Sequence, residues 1–72
     1  MNNAITDVVI ENLGSLIRFG LFSPEAVEFV ETWIDVPDYM WMGSIYFHCE
    51  PRYAGDIIGH MYEAGLSVGG SF

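Results

Sequence analysis

Seventy-two residues suffice for one domain, and a chain of this length buries only about 60 % of the surface it exposes when unfolded. Ten acids against two arginines and no lysine give a formal net charge of −8, which opposes direct binding to nucleic acid or to an anionic membrane and favours a basic partner. A single cysteine excludes an internal disulfide, and the absence of CxxC or a Cys/His cluster argues against structural zinc.

The stability that disulfides or metal would supply must therefore come from the core or from self-association. A composition that is 51% hydrophobic and 15% aromatic is rich enough for a dense core. Cys49 is expected as a buried thiol in a reducing cytosol. The segment MNNAITDVV has no basic stretch, so no signal peptide is expected, and no uncharged apolar run reaches the roughly 20 residues that span a bilayer. The expectation is a cytoplasmic protein without a membrane partner.

In chain order, Ile5 to Glu11 is β-branched and moderately alternating, and Asn12 to Ser15 supplies turn chemistry through Asn12 and Gly14. Leu16 to Phe22 follows, with Ile17, Phe19 and Leu21 on one face and Leu16, Arg18 and Phe22 on the other. The spacing predicts a β-hairpin over Ile5 to Phe22. One long helix is the competing reading, because Ile5, Val8, Val9, Leu13, Leu16 and Ile17 also fit a helical stripe. Gly14 and the Val-Val-Ile run carry poor helix propensity and favour the hairpin.

Ser23-Pro24-Glu25 is a helix start: Ser23 can cap, Pro24 suits the first helical position, and Glu25 complements the positive end of the dipole. The helix is expected to run to Ile34. Ala26, Val27, Phe29, Val30, Trp33 and Ile34 form its apolar arc, with Trp33 expected in the core. Glu25, Glu28, Glu31, Thr32 and Asp35 form the opposite arc, and Pro37 closes the segment by disfavouring helical geometry at Val36.

Tyr39 to Glu50, YMWMGSIYFHCE, has no charge until Glu50 and is rich in aromatic residues, with β-branched Ile45 among them. It reads as a central strand, with Trp41, Ile45, Phe47 and Cys49 on one face and Met40, Met42, Tyr46 and His48 on the other. Pro51 opens a second helix to Ala64. Ala54, Ile57, Ile58 and Met61 should face the core, and Arg52, Asp56, Gly59, His60 and Glu63 should face water. Gly65-Leu66 gives a Schellman-type stop, and Leu66 to Phe72 adds a short edge strand. The order β-β-α-β-α-(β) predicts an α+β sandwich with both helices on one face of a three- or four-stranded sheet.

No catalytic constellation emerges, so the chain is expected not to be an enzyme and to need no cofactor or metal. His48 and Cys49 are adjacent on a strand and point to opposite faces, which prevents a nucleophile–base dyad. His48 with Glu50 offers only two candidate ligands, a weak metal signal whose simpler meaning is a solvated surface pair. Met40, Met42 and Tyr46, with Leu16 and Phe22, would line the sheet face away from the helices and suit self-association as a homodimer, unless loops cover them.

The sharper signal is the acidic row. Glu28, Glu31 and Asp35 span about 10 Å on a helix at 1.5 Å rise, and Glu25 and Asp38 extend the row at either end. That charge density is within about a factor of two of a DNA strand, which carries a phosphate roughly every 3.4 Å. A solvated helix face is the ordinary meaning of such a row, but ordinary exposed helices mix charge signs and this one has no interspersed cation.

Glu11-Asn12-Leu13-Gly14-Ser15, Pro24 and Trp33, Trp41-Met42-Gly43, Glu50-Pro51-Arg52-Tyr53 with Asp56-Ile57, and Gly65-Leu66 resemble a group of small proteins of bacterial and phage genomes. In size and acidity, though not in motif, the chain also resembles anti-CRISPR proteins, several of which imitate DNA. That resemblance implies an inhibitor acting by protein–protein contact. It would block DNA binding by a basic nucleic-acid-binding complex, a CRISPR effector, through phosphate mimicry by Glu25, Glu28, Glu31, Asp35 and Asp38. The alternative is a small oligomeric structural or regulatory protein whose acids only solubilise it.

Overall fold

The structure, a computed structural model, describes residues 6–43 and 45–70. It is a two-layer α+β fold in which a four-stranded mixed sheet carries two helices. The strands are β1 (Val8–Asn12), β2 (Ile17–Leu21), β3 (Tyr46–Cys49) and β4 (Val68–Gly70), and the helices are α1 (Pro24–Trp33) and α2 (Pro51–Glu63). A 3-10 turn, Asp38–Met40, separates α1 from β3.

The expected hairpin forms, with the long-helix alternative excluded for the described residues. β1 and β2 pair antiparallel from Val8↔Leu21 to Asn12↔Ile17. The turn is held by Leu13 N–H to the Leu16 carbonyl (2.8 Å) and by Gly14 N–H to the Asn12 side chain (2.8 Å). The predicted start of the hairpin at Ile5 lies outside the described residues, as does the predicted end of the last strand at Phe72. Alternation then places Val8, Ile10, Ile17, Phe19 and Leu21 inward, where all are buried. Phe47 and Cys49 join them from β3, and the Phe19 and Phe47 rings stack with centroids 4.8 Å apart. Ala26 and Val30 of α1, Ala54 and Met61 of α2, and Leu66 close the core.

The strand order is β3-β2-β1-β4, which corrects the expectation for the third strand. β3 is an edge, not the centre, and it spans four residues where Tyr39 to Glu50 was expected. Pro37 and Asp38 start the 3-10 turn, and a tight reversal follows, closed by Met42 N–H to the Tyr46 carbonyl (2.8 Å) with Trp41 bridging Phe47. The apolar outer face of β3 is covered within the sheet rather than by a second layer. Phe22 meets Tyr46 edge-on at 5.8 Å, and the Arg18 guanidinium lies 5.2 Å from the centre of the Tyr46 ring. Gly20, paired with Tyr46, makes room for this: a Cβ there would stand 2.7 Å from the Phe22 ring.

α2 carries the chain across β2 and β1 to the far edge, where β4 pairs parallel to β1. Its C-terminus is the anticipated Schellman stop, with Leu66 N–H bonding the Met61 carbonyl (3.0 Å) and Gly65 N–H the Tyr62 carbonyl (3.0 Å). No described helix is long and apolar enough to cross a membrane.

Candidate partner-binding surface

α1 begins where three segments are tied together. Ser23, in extended geometry, accepts the Ala26 N–H on its Oγ (3.1 Å), satisfying one of the free donors of the first turn. Its hydroxyl also donates to the Asp7 carboxylate, which accepts the Ser67 N–H at 2.8 Å. These two bonds, the Ser23 hydroxyl foremost, hold the Asp7 carboxyl below the usual carboxylate range. The cap thus joins α1 to the start of β1 and the approach to β4, and it fixes how the helix lies on the sheet.

From that start, helical spacing sends Ala26 and Val30 into the core and leaves Glu25, Glu28 and Glu31 exposed. The helix ends at Trp33, because Ile34 is already extended. Asp35 and Asp38 are exposed as the row predicted, but they lie beyond the helix, Asp38 opening the 3-10 turn. The row is therefore helical over Glu25 to Glu31 and continues along an irregular segment.

Both arginines are engaged elsewhere. Arg18 pairs with Glu11 across the hairpin, and Arg52 pairs with Glu50 at 2.8 Å while lying 4.9 Å from the Tyr53 ring centre. His60 Nδ1 is 3.5 Å from Glu63. Among the described residues, no ion pair reaches Glu25, Glu28, Glu31, Asp35 or Asp38.

The structure corrects the reading of Trp33. It was expected in the core and is 74% exposed. At 100° per residue Trp33 falls inside the apolar arc, close to Ala26, but it is the last residue of the ten-residue helix and is left exposed there. Trp41 is half-buried against Phe47, with ring centroids 5.4 Å apart. The residues assigned to self-association do not form one surface. Met40 sits in the 3-10 turn and lines a cavity with Ile34, Phe47 and Ile57 on the helix side, Met42 is exposed at the reversal, and Tyr46 is half-covered by Phe22 and Arg18.

Cys49 is buried beside Phe47, and burial, reinforced by the adjacent Glu50, pushes its thiol up, away from the thiolate that nucleophilic chemistry requires. His48 is half-buried on the opposite side of the strand, its Nδ1 shielded from solvent and without a hydrogen-bond partner. Among the described residues no three His, Cys, Asp or Glu side chains cluster as metal ligands would.

Sequence reasoning missed the space between the helices. α1 packs on β2 and α2 on β4. The gap shows as adjoining cavities, one of ≈ 430 Å³ containing Phe29, Trp33, Ile34 and Ala64. The only advance signal was the width of the α1 apolar arc, broader than one sheet face can cover.

No protein-family model, no curated protein and no solved structure matches this chain.

Proposed function

We propose that this chain acts by protein–protein contact, not by catalysis, as an inhibitor of a basic nucleic-acid-binding complex. The observation that carries the reading is the acidic row from Glu25 to Asp38, exposed throughout, with both arginines committed to Glu11 and Glu50 instead. Glu25 to Glu31 alone place three carboxylates along about 9 Å of helix axis. Carboxylates at that density oppose lysines and arginines that otherwise hold a phosphate strand, and they steer association from a distance. Together with the resemblance in size and acidity to anti-CRISPR proteins, this favours a CRISPR effector as the target and DNA as the ligand displaced.

The test is competition. A DNA duplex bound to a purified CRISPR effector complex should be released as this protein is added, with potency falling steeply as salt rises. DNA occupancy unchanged by the protein at low salt would sink the reading. A second reading has its own observation: Val9 and Phe22 are exposed on the sheet face that no helix covers. It makes the chain a self-associating structural or regulatory protein, and a stable dimer by sedimentation that Phe22→Ser dissociates would favour it.

A further inference from the structure

We infer that the groove between α1 and α2 docks a cationic amphipathic helix of the partner protein, with Trp33 as the exposed anchor. The inference rests on the reading of a basic partner and adds where and how the partner is gripped. Two adjoining cavities, ≈ 240 and ≈ 430 Å³, share Phe29, Trp33 and Ala64 and form one trough along α1, and a third of ≈ 370 Å³ meets the second at Ile34. Its floor is apolar, with Phe29, Ile34 and Ile57 half-buried and Leu66 buried at one end. Both rims are acidic: Glu25, Glu28 and Asp35 on the α1 side, Asp56 and Glu63 on α2. Of these rim acids only Glu63 has an ion-pair partner among the described residues, His60.

Charge selects the occupant. A second copy of this chain, itself at −8, would set acidic rim against acidic rim. A segment with apolar side chains on one face and lysine or arginine on its flanks matches floor and rims together. Around Trp33 the walls are α1 and the end of α2, whose backbone groups are internally bonded and offer no free ladder to an extended strand, so a helix laid between them is the fitting mode. An indole this exposed also presents a ring face to a cation.

The experiment titrates the full chain against two dye-labelled peptides of about 14 residues, roughly four helical turns. One has leucines at helical spacing flanked by lysines; the other has the same composition scrambled. Anisotropy should show the amphipathic peptide binding at least about tenfold tighter, with the preference lost in Trp33→Ala and in Ala64→Arg, which places a cation in the trough. Both positions are exposed, so thermal melts of the variants should match wild type. Equal affinity for the two peptides, or a preference that survives both substitutions, overturns the inference. So does a dimer in sedimentation that the peptide dissociates, since the groove's occupant is then a second copy. DNA competition that persists while the peptides bind equally removes the groove and leaves the phosphate-mimic reading standing. A preference that holds without competition removes that reading instead, and the groove then serves some other basic partner.

Discussion

The two helices share a sheet, a proline at their first position and an apolar inward arc, yet they differ in what they show to water. α2 presents mixed signs, Arg52, Asp56, His60 and Glu63, with Arg52 and His60 each beside an acid. α1 and its continuation present acids alone, and no cation approaches them among the described residues. Acidity that served only solubility would have no reason to differ between two helices of equal exposure. The difference shows that the unpaired acids gather on α1 and its continuation, the side that the proposed function assigns to a basic partner.

The comparison breaks most completely if the common core is lost, because both helices depend on the same inward face of the sheet. Phe47→Ala removes one ring of the stacked Phe19–Phe47 pair and should cost about 3–5 kcal/mol, measured by denaturant unfolding. In a domain this small that approaches the whole folding free energy, so both helical signals should disappear together.

A smaller effect separates the helix starts. Ser23→Ala deletes a cap whose Oγ bonds the first turn of α1 and should cost about 1 kcal/mol. Glu50→Ala at the equivalent position of α2 should cost a few tenths of a kcal/mol at most, since Glu50 makes no capping bond and its pair with Arg52 is exposed. Thermal melts of the two variants side by side give the contrast, and equal losses would remove it.

The smallest effect concerns pH. The folded state lowers the Asp7 pKa through Ser23 and Ser67, so the ionised form is favoured on folding. Its contribution is therefore present above the unfolded value of about 4 and fades as pH falls from there through the lower folded value. The difference in Tm between wild type and Asp7→Asn should be constant above about pH 5 and shrink below pH 4. A difference flat across that range would show that the clasp at the start of α1 does not discriminate between the protonation states.

Much of this was legible in the chain itself. Asn12 and Gly14 mark the hairpin turn, Ser23-Pro24 and Pro51 mark helix starts, and Gly65-Leu66 marks a stop, because each acts through local backbone chemistry. The helical part of the acidic row, Glu25 to Glu31, is also a local property, since its exposure follows from helical spacing. What failed depended on the rest of the molecule. Tyr46 looked like part of a self-association face, and Phe22 and Arg18 half-cover it from within the sheet, with Gly20 leaving them room. Trp33 looked like core, and the helix ends before a partner element reaches it. The groove was invisible for the same reason: periodicity assigns an apolar face but does not reveal whether two helices meet over it.

The central claim is that the α1 acids, and not the acidity of the chain at large, engage the partner. Replacing Glu28, Glu31 and Asp35 with lysine changes the charge by six units, and these exposed side chains leave the core untouched. The control reverses Glu11 and Glu50, exposed acids outside both the row and the groove. In DNA competition at low salt, corrected for the remaining net charge, the α1 variant should fail to displace DNA and the control should retain most of its potency. An α1 variant that displaces DNA as well as wild type would contradict the account.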